Sequence, residues 1–323
     1  SNSARPDIYL LVLDEYAGAR SLQAMGFDNR SFLDSLRRSG FWVATGSRSN
    51  YDFTPFSMAS MLQMQYIDSS MERCGDDART ILSAVHAISD NETMRILRRE
   101  GYDIRFEAPF DNSINPAPTL NEFGDFAWKQ LFGNSLPGRV RRDFARNIDP
   151  FSSLFRPVYG YNNAVQRRKD LERYRAVLNA TIDSNPARPP RFVYQHLLLT
   201  HHPYLFDSAG KPLKHMADAS EERSAYLDQV CYANALQLEQ VDRILKGGRR
   251  NTVIILLSDH GYRQGGAAVS PFDNLQAVYY PNRDYSGLDV PESPVNVFRH
   301  VFNRHFEQHW PLLPFRSVPV RYR

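Results

Sequence analysis

Thr252-Val-Ile-Ile-Leu-Leu-Ser258-Asp259-His260-Gly261 sets a carboxylate and an imidazole side by side where an unbroken apolar run stops. Ile8-Tyr-Leu-Leu-Val-Leu13 ends the same way, in Asp14 and Glu15. A third apolar run, Arg191-Phe-Val-Tyr-Gln-His196-Leu-Leu-Leu-Thr, leads into His201, His202 and Pro203. Between them, Asn50-Tyr-Asp-Phe-Thr54-Pro-Phe-Ser57 offers hydroxyls at the start of a helix. Carboxylate oxygens mixed with imidazole suit a divalent ion such as zinc, manganese or magnesium. Such an ion lowers the pKa of a coordinated hydroxyl, so Thr54 could act as an alkoxide at neutral pH. At a helix N-terminus that alkoxide is suited to attack a tetrahedral anionic centre such as phosphorus. A histidine of the third run could protonate a leaving oxygen or hold a phosphoryl oxygen.

Taken singly, each piece has an ordinary explanation. An acidic pair can simply end a strand, Asp-His-Gly can be a turn, and threonine is a common N-cap. His196, inside its strand, fits a satisfied core histidine as well as a site residue. His215, His300, His305 and His309 sit in polar or helical settings and read as structural. The conjunction at strand ends favours chemistry, because open α/β sheets build their sites in the crevice at the carboxyl ends of their strands.

Periodicity supplies the scaffold for these residues. Buried-looking strands at 8–13, 191–199, 252–257 and 275–280 are separated by long helical stretches. The fold class expected is α/β, a mixed and mostly parallel central sheet with helices on both faces. Asn29–Gly40 reads as a helix closed by glycine, followed by a strand near Phe41–Thr45. A helix from Pro55 to Met64 places Thr54 at its N-cap. Asn91–Arg99 reads as a helix and Tyr102–Glu107 as a strand. Asn162–Asn185 carries both signs of charge and reads as a solvated helical face. In Ser220–Leu245 the stripe Leu227, Val230, Cys231, Leu238, Val241, Leu245 is core, with Asn234 on it as a polar contact. Ser293–Phe306 is the last helix, and the proline-rich tail from Trp310 is extended.

Ser1-Asn2-Ser3 reads as an expression remnant, with residues 1–5 a linker and 6–323 one catalytic domain. Residues 112–160, rich in proline, aromatics and arginine, form an insertion read as a solvated cover over one end of the sheet. A net charge of +3 with 23% charged residues is too balanced for nucleic acid as the main partner. No Walker loop, Gly-x-Gly-x-x-Gly or Gly-x-Ser-x-Gly occurs, so nucleotide-binding and esterase readings gain no support. Cys74 and Cys231 read as two buried thiols.

On those segments the chain resembles the alkaline phosphatase superfamily in its sulfatase-like branch. Nearest in motif are the membrane-anchored phosphoethanolamine transferases and the phosphoglycerol-transferring lipoteichoic acid synthases. The resemblance runs from the first strand to about Tyr280, through Leu-Asp14-Glu15, Thr54-x-x-Ser57, His201-x-Pro203 and Ser258-Asp259-His260-Gly261. It implies a metal held by Asp14, Glu15 or both, with Thr54, Asp259 and His260. It implies Thr54 as nucleophile and His201 against the substrate phosphate or leaving group, with His196, His202, Ser57 and Arg263 as substrate contacts.

Departures narrow the reading. A sulfatase needs cysteine or serine, oxidised to formylglycine, where this chain has Thr54, and no arginine follows Ser57. Two-metal relatives carry Asp-x-x-x-His, but Leu197 stands four residues before His201, so one divalent ion (zinc, manganese, magnesium or calcium) is expected. Tyr262-Arg263 replaces the usual acid after Asp-His-Gly and leaves Arg263 as a phosphate contact. The first expectation is a phosphotransferase of the cell envelope, on the periplasmic or extracellular face of the inner membrane. It would be anchored through a segment outside this sequence and would pass a phospholipid head group through a phosphothreonine. A phosphodiesterase or phosphatase using water, and a catalytically silent domain that binds a phosphorylated ligand, are the alternatives. Sulfate hydrolysis comes last.

Overall fold

A computed structural model describes residues 5–67, 74–75, 78–108, 110, 167–213, 221–288 and 293–321. The insertion expected at 112–160 lies outside them. At the centre runs β1 (Asp7–Leu13), whose seven residues are all buried. It pairs in parallel with β5 (Arg191–Leu197) on one side and β6 (Thr252–Ser258) on the other. Strand β4 (Asp103–Glu107) extends the parallel set beyond β5. On the opposite flank β7 (Gln276–Tyr279) runs antiparallel to β6, and β2 (Trp42–Val43) antiparallel to β7. The order β2-β7-β6-β1-β5-β4 is the mixed, mostly parallel sheet expected.

Apolar runs without alternation make such strands, because both faces of a parallel sheet are covered by helices. Side chains of β1 divide between two layers. Ile8, Leu10 and Val12 pack with residues of α3 (Thr54–Gln63), α4 (Ala78–Ser89), α5 (Glu92–Arg99) and α8 (Val297–His305). Tyr9, Leu11 and Leu13 pack against α1 (Ala19–Ala24), α2 (Arg30–Arg38), α6 (residues 167–181) and α7 (Glu222–Gly247). Each fully buried Leu or Val contributes roughly 1.5–3 kcal/mol, so β1 is a stiff platform for the acidic turn at its carboxyl end.

Two local readings are corrected. Thr54 is the first residue of α3 and Phe53 takes the N-cap position without a side-chain cap bond, so the threonine hydroxyl is released from capping. The buried stripe of α7 is phased differently from the one expected. Tyr226, Gln229, Val230, Ala233, Gln237, Gln240, Val241 and Ile244 face inward. Leu227, Cys231, Leu238 and Leu245 are only partly buried at its edge. Three inward glutamines disguised the true face; Gln229 there bonds the loop after β5, a tertiary contact that a sequence does not display. Asn234 does make the expected polar contact, accepting from Tyr16 Oη at 2.6 Å and donating to Asn29 at 2.8 Å. Cys231 is a free thiol, and the side chain of Cys74 lies outside the described residues.

Candidate active site

Register brings the chemistry together. Leu13 lies level with Leu197 on β5 and Ser258 on β6, so the three parallel strands end in line. The residues just past those ends therefore share one crevice. Asp14, Glu15, His196, Asp259 and His260 are all essentially buried there, and Thr54 is 3% exposed.

The turn after β1 aims its acids in two directions. Glu15 adopts a left-handed backbone, φ 59°, an uncommon conformation for a non-glycine residue. The Asp259 carboxylate steadies the turn by accepting Glu15 N–H at 3.0 Å. Thr200 Oγ1 donates to the Asp14 carbonyl at 2.6 Å, tying the loop after β5 to the same turn. Gly261 is required: a Cβ there would lie 2.3 Å from the Asp273 carbonyl oxygen.

Thr54 Oγ1 stands 3.2 Å from His260 Nε2. The other ring nitrogen, Nδ1, lies 2.8 Å from the Gly261 carbonyl. A carbonyl only accepts, so Nδ1 carries the proton and Nε2 is the nitrogen that faces the threonine hydroxyl and Asp259. Burial pulls the His260 pKa down, but Asp259, followed by Asp14 and Glu15, outweighs it against an opposing Arg263 and the net shift is upward. Acids that draw a proton to Nε2 draw a divalent ion to the same place.

His196 joins the cluster from β5. Its Nε2 lies 3.2 Å from Asp14 Oδ2 and its Nδ1 2.9 Å from Tyr194 Oη. Burial foremost, with Asp259 and Asp14 adding to it, keeps the Tyr194 phenol protonated far above its ordinary range. Tyr194 therefore donates to His196, which donates on to Asp14. Burial disfavours the Asp14 carboxylate, yet the imidazoles of His201, His196 and His260 hold it well below the usual aspartate range.

Three buried oxygens of this cluster, Asp14 Oδ1, Glu15 Oε2 and Asp259 Oδ2, have no hydrogen-bond partner among the described residues. Converging, unpaired carboxylate oxygens in a dry site are costly unless a cation joins them. Asp14 with His196 and Asp259, and Asp14 with Glu15 and His201, each bring ligand atoms within 4.8 Å of one another. The donor set thus fits a divalent ion, held by carboxylate oxygens and imidazole nitrogen.

Of the remaining residues named from sequence, Arg263 and His201 line the mouth. Arg263 donates to Glu15 Oε1 through its backbone N–H at 3.0 Å and Nε at 3.3 Å. His202 is exposed and meets Tyr204 edge-on. The Ser57 hydroxyl donates to the Tyr51 carbonyl at 2.9 Å, binding the entry of α3 to its first turns.

Sequence reasoning missed the braces. Arg167 on α6 donates to the carbonyls of Leu198, His201 and His202. Gln229 on α7 binds Leu199 O and accepts the N–H groups of Leu205 and Phe206. Tyr226 donates to Glu15 O at 3.0 Å. Only Tyr194 left a signal, lying two residues before His196 and so on the same strand face.

Parallel strands ending in an acid–imidazole cluster, with a helix-terminal hydroxyl against it, define an alkaline-phosphatase-like domain. The model of the sulfatase family matches residues 9–287, and the chain belongs to that family. No curated protein matches significantly. Solved structures share the fold at low identity. The C-terminal periplasmic domain of EcEptC from Escherichia coli, solved in complex with Zn, is 13% identical with a TM-score of 0.53, covering 94% of this chain and 83% of that one. The integral membrane lipooligosaccharide phosphoethanolamine transferase A of Neisseria meningitidis is 14% identical with a TM-score of 0.51, covering 94% and 55%. The putative sulfatase yidJ of Bacteroides fragilis is 14% identical with a TM-score of 0.52, covering 98% and 77%.

Proposed function

We propose that the chain is the catalytic domain of a metal-dependent phosphotransferase that moves a phospholipid head-group phosphate to an envelope glycan or lipid. The observation that carries this reading is the 3.2 Å approach of Thr54 Oγ1 to His260 Nε2, beside buried acids with unpaired oxygens. Sulfate ester hydrolysis fits poorly, because threonine cannot supply a formylglycine aldehyde.

A divalent ion held by Asp14, Glu15, Asp259 and His260 would supply the charge that acidifies the Thr54 hydroxyl and offsets the phosphoryl anion. Thr54 Oγ1 forms a bond to phosphorus as the bond from phosphorus to the lipid oxygen breaks, and that oxygen takes up a proton. The acceptor hydroxyl then loses its proton as its oxygen displaces Thr54. The amino end of α3, with the positive pole of its dipole, favours the same anion. His201, with 29% of its side chain exposed, stands at the mouth where leaving and incoming oxygens pass.

Head groups of phosphoethanolamine or phosphoglycerol type are the donors proposed. The transferase named among the matched structures supports the first. A periplasmic or outer-face location with a membrane anchor belongs to the same proposal, supported by the periplasmic domain and the integral membrane protein that share the fold. No helix among the described residues is long and apolar enough to cross a membrane.

Cleavage of a chromogenic phosphodiester by the purified domain, across zinc, manganese, magnesium and calcium, tests the reading. Thr54→Ala should lose about 10³-fold or more in turnover with its circular dichroism unchanged. Mass spectrometry of the quenched wild type should find on Thr54 the substrate's phosphoryl group, still carrying its second ester. Undiminished cleavage by the folded variant would remove Thr54 as nucleophile.

A further inference from the structure

Between β2 and α3, residues 44–53 belong to no helix and no strand ladder, yet they deliver Thr54 to His260. The helix does not fix the hydroxyl, because Thr54 opens α3 instead of capping it. Against this connection lies the extended tail, residues 310–320. Ser317 Oγ donates to Ser49 O and Val318 N–H to Asn50 O, both at 2.8 Å. Val320 N–H adds a bond to Asp52 Oδ1 at 2.8 Å. The Ser57 bond to Tyr51 O then carries the held connection into the first turn of α3.

Asn50 is the junction. It is 1% exposed, and both ends of its amide are bonded. Nδ2 donates to Arg316 O on the tail and to Ser293 Oγ, both at 2.8 Å, while Oδ1 accepts Val295 N–H at 2.9 Å. A carbonyl only accepts and a backbone N–H only donates, so the amide has one workable orientation. The tail is fastened elsewhere by its own partners. Asn303 exchanges two bonds with Trp310, and Asn296 exchanges two with Leu313. Arg299 donates to Pro311 O on the tail and to the carbonyl of Met64, which closes α3. One segment therefore secures the approach to α3 directly and its far end through Arg299. A reacting group has to sit within about 0.5 Å of its productive place, and an error near 1 Å costs up to about 10²-fold in rate.

We propose that Asn50 is a positioning residue for Thr54, acting through the tail as a strap that fixes the connection before α3. It acts on the hydroxyl through the chain, by holding the backbone that leads into Thr54. The inference rests on the reading of Thr54 as nucleophile.

Steady-state cleavage of the chromogenic phosphodiester by zinc-saturated protein tests it, with Asp7→Ala as a destabilised comparator. Asn50→Asp keeps the side-chain shape and the acceptor for Val295 N–H, but sets an oxygen against the Arg316 carbonyl. Its kcat should fall about 10-fold or more while KM stays within about 2-fold of wild type. Zinc affinity by isothermal titration should be unchanged. Hydrogen exchange in the metal-free variant should quicken across residues 51–57 while β1 keeps its protection. Asp7→Ala, assayed well below its melting temperature, should keep the wild-type kcat. Val318→Pro removes one strap N–H without altering the connection, and should show the same split at smaller size. Wild-type kcat in folded Asn50→Asp overturns the positioning role and leaves the Thr54 chemistry standing. So does an equal fall in Asp7→Ala, or a loss of zinc that accompanies the loss of turnover. Should Asn50→Asp fail to fold, Val318→Pro alone decides. Undiminished cleavage by Thr54→Ala would overturn the nucleophile reading and this inference with it.

Discussion

Asp7 opens strand β1 and Asp14 sits just past its end, and both are completely buried. Their surroundings differ in one respect. Both oxygens of Asp7 are used: Arg188 forks onto them at 2.9 and 2.5 Å, and Arg191 N–H adds a third bond at 2.8 Å. Asp14 has one oxygen on His196 and one without a partner, among other acids. A buried carboxylate costs several kcal/mol unless it is paired. At the amino end of the strand the fold supplies the partner. At the carboxyl end it withholds one, and an incomplete charge in a crevice is what a ligand completes.

The comparison breaks most visibly at Asp7. Asp7→Ala takes from Arg188, with 8% of its side chain exposed, its buried carboxylate and leaves it the half-exposed Asp183 and two carbonyls. Stability should fall by about 3–5 kcal/mol, read by urea unfolding at neutral pH. Zinc uptake by the fraction still folded should be unchanged, since Asp7 sits at the far end of β1. A loss under about 1 kcal/mol would mean that the satisfied pair carries no more weight than a surface ion pair.

Asp14→Asn should do the reverse. Zinc affinity is expected to drop about 10²-fold or more, close to 3 kcal/mol, by isothermal titration. Yet the metal-free variant should melt only slightly below wild type, because it gives up the imidazole contacts that hold Asp14 ionised while relieving its repulsion with the other converging acids. The rise in melting temperature that zinc gives wild type should shrink with the affinity. A metal-free Asp14→Asn that melts well below wild type would make Asp14 a structural anchor like Asp7 and erase the contrast.

The difference between these aspartates was half legible in the sequence. DIYLLVL and TVIILLS are unbroken apolar runs, so their burial, their parallel pairing and the acids at their ends could be read directly. Asp7 was passed over because its partner Arg188 lies 181 positions away, in the short connection that leads into β5. Arg167 escaped because it lies in the stretch read as solvated charge: one arginine in a mixed-charge helix gains its role from the loop it happens to meet. Thr54 was found by type and position, but its freedom from capping depends on where α3 begins, which propensity does not fix to one residue. His196 was evenly balanced between core and site. Its strand position could not decide, because the deciding contacts come from Asp14 on the neighbouring strand and from Tyr194.

The smallest expected effect tests a buried ionisable group remote from the sheet ends. His305 packs on Tyr280 with ring centroids 5.4 Å apart, and its Nε2 has no hydrogen-bond partner among the described residues. Burial, helped by the neighbouring Arg304, pushes its pKa down from 6.5 to about 4. The folded state therefore holds His305 neutral while the unfolded chain takes a proton below pH 6.5. Between pH 6.5 and about 4 the unfolded state binds more protons, so stability falls as pH falls. The contribution should be on the order of 1–2 kcal/mol after allowing for partial exposure. Urea unfolding of wild type and His305→Gln at pH 7 and pH 4.5 isolates it. The variant should lose less stability across that interval, while zinc binding at pH 7 stays equal. Parallel pH slopes in the two proteins would show that a partly buried imidazole with Nε2 unbonded carries no such penalty here. Asp14 would then be separated from the rest of the interior by its charged neighbours, rather than by burial with an unfilled hydrogen bond.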